Sequence, residues 1–224
     1  MGRLLRIRTL AWLYLGFGMH NLMAFSVLVW SAALIMRKFG VGEDVAGVTV
    51  AAAGAFAVPG VLLGGALADR YQARHPAGRM RFAALADIAS GAGILLCLLT
   101  AFIIHPDGSR ELSGWMALGV LFYGIYAMGA IAGQPAIGAV TQDVVPSELK
   151  GLSYGLAMFF MYLLGGGWSP YLTGFLSDLL GGDIRGLTYA MMITGSAGFI
   201  AFLCWWQAAK HYPEDREKVK AGTS

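Results

Sequence analysis

His20 and Asn21 stand in an apolar run that begins at Leu10, and His20 is the only histidine of the chain placed in such a run. It lies about ten residues, or roughly 15 Å of helix, beyond Leu10. Ser31 follows close to the same helical face at about 3.6 residues per turn. An equal interval separates Tyr123 from Gln134, with Tyr126 beside them. Polar and ionisable groups within membrane spans are costly and are functional candidates by default. An imidazole that titrates near neutrality can also take up and release a proton. The plainer alternative is that His20 is a hydrogen-bonded packing residue and the tyrosines are ordinary interhelical contacts. Asp87 comes little more than a turn after Arg81, so an ion pair with Arg79 and Arg81 near the membrane surface is expected. Asp143 is read as the polar end of a helix. Cys97 and Cys204 each sit in an apolar run and behave as small hydrophobes. Neither has a second Cys or His at metal-ligand spacing, so no metal, disulfide or cofactor is expected.

The elements that carry these residues follow from composition. Hydrophobic residues make up 57% of the 224 and charged residues only 13%, against about 25% charged in soluble proteins. Mean hydropathy is +0.63. The chain therefore needs an apolar solvent, and its runs are continuous rather than alternating, which excludes a lipid-facing barrel. Six stretches reach the roughly 20 residues needed to cross a bilayer: 10–36, 45–68, 82–104, 115–140, 152–180 and 187–209. The first follows Arg3, Arg6 and Arg8 but is too long for a cleaved signal segment. Turns are marked by Lys38-Phe39-Gly40, His105-Pro106-Asp107-Gly108 and Gly181-Gly182-Asp183. Residues 1–209 thus form one bundle, and 210–224 a charged, solvated tail. With both termini cytoplasmic, that side holds twelve Lys and Arg, against four (Arg37, Lys38, Arg110 and Arg185) on the other. This bias orients the chain. The net charge of +3 suits an anionic membrane surface and includes no basic stripe for nucleic acid. Gly60/Gly64, Gly129/Gly133 and Gly151/Gly155 have the spacing of close helix contacts, and Pro135 should bend the fourth span.

Gly65-Ala66-Leu67-Ala68-Asp69 closes the second span, and Gly174-Phe175-Leu176-Ser177-Asp178 stands in the corresponding place in the fifth. Pro59 and Pro170 precede them. The stretch Gly65-x-Leu67-Ala68-Asp69-Arg70-Tyr71, with basic residues after it, resembles the cytoplasmic loop motif of the major facilitator superfamily. Seven residues, Gln72 to Gly78, intervene before Arg79 and Arg81, so only the first half of the motif matches well. Pro146-Ser147-Glu148-Leu149-Lys150-Gly151 is similar to the family's entry into its fifth and eleventh helices. Ser169-Pro170-Tyr171-Leu172-Thr173-Gly174 is similar to a segment of the Spinster-like branch, proposed to export lysolipids. The resemblance implies an all-α membrane protein: six transmembrane helices in a 3+3 inverted-repeat half-bundle, the C-terminal half of a twelve-helix transporter in a bacterial-type inner membrane. It makes the first and fourth spans cavity-lining, so His20, Asn21, Tyr123, Tyr126 and Gln134 are expected to bind a polar head group of a small organic or lipid-like solute. His20 is a candidate for a coupling proton, and Pro135 for a hinge.

In that fold two bundles face each other, and six helices supply one wall. Completion by a missing N-terminal half is preferred to completion by a second copy of the chain. Gly64 and Gly65 are expected to allow close contact. Asp69 is expected to accept hydrogen bonds from a helix start in the facing bundle, or from residues 147–151 of a second copy, with Arg70 its nearest partner otherwise. Two other functions compete. Gly151-Leu152-Ser153-Tyr154-Gly155 reads as G-x-S-x-G, as in an intramembrane serine protease of rhomboid type, but needs a base beside Ser153. A non-transporting membrane subunit is the other. No phosphate-binding loop is present, so an ion gradient or facilitated diffusion is favoured over ATP.

Overall fold

The computed structural model describes residues 2–105 and 114–222, and among them every regular element is a helix. The expected turn at Pro106-Asp107-Gly108, and Arg110, lie outside the described residues. α1 runs Arg8–Phe39 and is 32 residues long. It stops at Gly40, whose φ of 60° is a left-handed conformation that glycine adopts without steric cost, and whose N–H caps the Met36 carbonyl. α2 (Glu43–Gly54) and α3 (Ala57–Arg74) follow end to end, tightened at Ala55-Phe56 ahead of Pro59. α4 (Gly78–Cys97) passes into a π-helical segment, Leu98–Ile104. α5 (Gly114–Ala132) and α6 (Gln134–Asp143) are separated by a break at Gly133, immediately before Gln134-Pro135. That is where a missing backbone N–H is expected to interrupt a helix.

α7 (Lys150–Met161) continues as a π-helical segment, Tyr162–Gly166, and then breaks at Gly167-Trp168 before α8 (Ser169–Leu179). α9 (Ile184–Gly195) and α10 (Ala197–Lys220) complete the chain. Among the described residues, five helical rods are long and apolar enough to cross a membrane: Arg8–Phe39, Glu43–Arg74, Gly78–Ile104, Gly114–Asp143 and Ile184–Lys220. The stretch 152–180, expected as one span, is instead divided. The break comes just before Ser169-Pro170, where the proline has no backbone N–H to continue the helix. Gly165 allows close approach to α1, since a Cβ there would collide with the Gly18 carbonyl, and Ser169 Oγ donates to the Leu22 carbonyl.

α1 packs most extensively along α10, and α4 along both α5 and α10. Burial divides the bundle into two apolar cores. One gathers Leu13, Phe17, Met80, Ala84, Ile137 and Trp205. The other gathers Met23, Val27, Ile94, Ala130, Leu187 and Met191. Each of α1, α4 and the α5–α6 rod passes from one core to the other. The glycine pairs differ in use. Gly60 and Gly64 lie against the backbone of Met128 and Ala132, and Gly129 and Gly133 against α4, whereas Gly151 and Gly155 have open space where a Cβ would be. The charged tail is also not simply solvated. α10 continues through it, Tyr212 is buried, and Asp215 Oδ2 accepts from the Thr9 N–H (3.1 Å) and hydroxyl (2.8 Å) at the start of α1. A carboxylate there satisfies helix-start N–H groups and complements the dipole.

Candidate functional site

Between the two cores lies a polar layer. His20 on α1 donates from Nδ1 to Asp87 Oδ1 on α4 at 2.6 Å. Its Nε2 is 3.0 Å from Gln134 Nε2 at the start of α6, and the same amide donates to the Ala130 carbonyl at 3.3 Å. With the amide nitrogen as donor, His20 is the neutral tautomer carrying its proton on Nδ1. His20 is 4% exposed and Asp87 1%. A charged group in such surroundings is retained only with partners. Asp87 Oδ2 is buried and has no hydrogen-bond partner, and Trp205 Nε1 on α10 is likewise unpartnered. The indole lies 5.4 Å from the His20 ring and fits because position 16 is glycine, where a Cβ would strike it. Proton addition at Asp87 Oδ2 keeps every existing hydrogen bond. Proton addition at His20 Nε2 requires the Gln134 amide to turn its oxygen inward.

Thus the structure brings together His20 and Gln134 of the expected residues, and adds Asp87 and Trp205. The expected surface ion pair of Asp87 with Arg79 and Arg81 is absent. Asp87 points inward to α1, Arg79 takes other carboxylates, and the Arg81 guanidinium lies 5.8 Å from the Trp206 ring centre. Asn21, one residue on from His20, turns away and donates to the Phe17 carbonyl at 2.9 Å. Tyr126 is buried and meets Tyr123 edge to face at 5.4 Å. Tyr123 and Ser31, each eleven residues from a member of the polar layer, line a separate cavity of about 130 Å³ among α1, α2, α4 and α5. Its other walls include Leu34, Phe56, Ile94 and Leu98. The Ser31 hydroxyl donates to Val27 of its own helix, so the cavity is apolar apart from the Tyr123 side.

At the end of α3 the loop motif is organised by Arg79 rather than Arg70. Arg79 donates to Asp69 Oδ1 from Nε (3.1 Å) and Nη2 (2.9 Å), and to Asp143 Oδ2 from Nη1 (3.1 Å). The same Asp143 oxygen accepts from Tyr212 at 2.7 Å, with Arg216 at 3.9 Å. Asp69, Arg70 and Pro135 are exposed. Gly65 faces the Pro135 ring, across the helix contact that Gly64 makes with Ala132. At the entry to α7, its own backbone N–H and the Ser147 hydroxyl hold the Glu148 carboxyl below the usual carboxylate range. Ser153 has Tyr14 Oη at 3.1 Å and donates to the Thr141 carbonyl at 3.0 Å. Among the described residues no base is bound to it, so the G-x-S-x-G reading lacks its second member.

A sequence profile of the Major Facilitator Superfamily matches residues 1–170. An MFS-type efflux pump of Mycolicibacterium smegmatis (strain ATCC 700084 / mc(2)155) is 29% identical over 196 residues, spanning 85% of this chain and 42% of the pump. Crystal structures of a bacterial homologue of the human lysosomal transporter Spinster share the fold. The inward-facing, occupied form superposes with a TM-score of 0.74 at 18% identity over 94% of this chain and 50% of that one. The inward-facing, unoccupied form gives 0.63 at 18% identity over 99% and 51%. The chain thus spans about half or less of the length of these relatives. Its profile match covers most of its length, and on that ground the chain belongs to the Major Facilitator Superfamily, a family of transporters rather than enzymes.

Proposed function

We propose that this chain is the C-terminal half of a transporter that moves a small organic or amphipathic, lipid-like solute by alternating access. In this reading its rods form six spans in a 3+3 inverted repeat, both termini are cytoplasmic, and the membrane is a bacterial-type inner membrane. A six-helix N-terminal half supplies the opposite wall, or a second copy does. The single observation that carries the reading is the His20–Asp87–Gln134 layer, an ionisable pair held between apolar cores by three different rods. Groups of this kind are expensive within a bilayer and belong to ion and substrate pathways. Asp87 Oδ2 is the proton acceptor, His20 orients the carboxylate, and Gln134, beside the helix break at Pro135, holds His20 in place. The apolar cavity takes the solute's hydrocarbon part, with Tyr123 in its wall; Tyr126, in contact with Tyr123, and Asn21, beside His20, are the further candidates for its polar head group. Support for a lipid-like solute comes from the cavity's apolar lining and from the similarity of Ser169–Gly174 to a segment of the Spinster-like branch. Asp69 and Arg70 mark the face that meets the other half.

The test is solute uptake into proteoliposomes, with the chain alone and with a co-expressed six-helix half, using a lysophospholipid and other amphipathic solutes. Accumulation driven by a pH gradient, lost in Asp87→Asn, is the expected outcome. Uptake no faster than in empty liposomes for both preparations, while a full-length relative transports, would refute the reading.

A further inference from the structure

The seven residues that separate Arg79 and Arg81 from the loop motif build something of their own. Gln72 clamps the segment: its Oε1 accepts from the Arg79 N–H at 3.0 Å and its Nε2 donates to the Pro76 carbonyl at 2.7 Å. His75 Nδ1 accepts from the Ala77 N–H at 3.0 Å. Gly78 closes the corner, since a Cβ there would strike the Tyr71 backbone. The result is a recess of about 350 Å³ at the end of α3, bounded by Tyr71, Arg74, His75, Arg81, Leu85 and Trp206. One side is basic and the other apolar. Arg74 and Arg81 are exposed, and neither has a carboxylate partner among the described residues. Their neighbour Arg79, by contrast, is held by Asp69 and Asp143. Arg81 instead lies over Trp206, and both Trp206 (37%) and Leu85 (46%) are exposed.

We propose that this recess binds the headgroup of an anionic phospholipid. Its phosphate is held between Arg74 and Arg81, and its acyl chain descends over Leu85 and Trp206. Three features select a lipid over a soluble anion. The recess lies between the end of α3 and the start of α4, on two rods of membrane-spanning length, its aromatic residues are of the types that settle at a membrane surface, and its basic groups border the exposed apolar side chains of Leu85 and Trp206. Basic pockets between spans are a known physical solution for anionic headgroups. Arginine suits phosphate because its planar fork donates two hydrogen bonds. The site is independent of which solute the chain carries, and binding is measured without transport.

Native mass spectrometry of the purified chain in detergent, titrated with phosphatidylglycerol or phosphatidylcholine of identical acyl chains, tests it. The expected result is one retained phosphatidylglycerol, preferred by roughly tenfold or more, the scale two basic groups supply at a membrane surface. Arg74→Gln/Arg81→Gln abolishes the preference, Arg74→Lys/Arg81→Lys keeps most of it, and Lys150→Gln, an exposed charge outside the recess, leaves it unchanged. An unaltered preference in the double Gln variant overturns the proposal, as does an equal loss in Lys150→Gln. Displacement of the lipid by an equal concentration of sn-glycerol phosphate overturns the lipid assignment in favour of a free anion.

Discussion

Asp87 and Asp143 are both carboxylates bound by groups from other rods, yet they live in opposite surroundings. Asp87 sits between two apolar cores with His20 as its partner and one oxygen unpartnered. Asp143 sits at a rod end, where a single oxygen meets Arg79, Tyr212 and Arg216. Water and salt reach the second group and weaken each of its interactions. Neither reaches the first, so an uncompensated charge there has no solvent to fall back on. The difference assigns them different work. The end cluster fastens α3, α4, α6 and α10 with many small, replaceable contacts. The inner pair differs in kind, because a proton on the unpartnered Asp87 Oδ2 removes a buried negative charge without breaking a hydrogen bond.

The contrast breaks most visibly at Asp87. Asp87→Ala leaves the His20 Nδ1–H buried without an acceptor and is expected to destabilise the folded chain by about 3 kcal/mol. The measurement is unfolding in mixed detergent micelles. Asp87→Asn keeps an oxygen for that N–H and is expected to lose only about 1 kcal/mol, so equal losses for the two would argue that packing alone is at stake. Arg79→Gln removes two ion pairs at once but is expected to cost no more than about 1 kcal/mol, fading as salt is raised. A salt-independent loss would place this cluster in the same class as the inner one. The smallest effect is expected for Tyr212→Phe, about 0.5 kcal/mol, since Asp143 retains its arginines.

Much of this was legible in the residues. Continuous apolar runs and Gly/Pro punctuation located the rods, and Pro135 located the break between α5 and α6, because backbone chemistry acts locally. At Asp87 the sequence misleads, because nearness to Arg81 along the chain suggests a surface pair, whereas the partner lies 67 positions away on another rod. The available signal was that the residue stands inside the third span, where a carboxylate needs a buried partner, and His20 was the one imidazole at comparable depth. Tyr123 and Gln134 do share a side of their rod, but eleven residues of rise put them on different levels, one in the apolar cavity and one in the polar layer. Residues 152–180 read as one unbroken helix because hydropathy does not register the break at Gly167-Trp168. The tail after Lys210 looked solvated because its charges hide the buried Tyr212 and the Asp215 cap on α1.

The central claim is that Asp87 carries a proton that moves with solute. Proteoliposomes of the assembled transporter, loaded with a pH-sensitive dye, allow both movements to be followed in one sample. For the wild-type chain, solute addition is expected to produce a pH change inside the vesicles. For Asp87→Asn, solute exchange across the membrane is expected to persist while the pH change disappears. A pH change of wild-type size in Asp87→Asn would contradict the account.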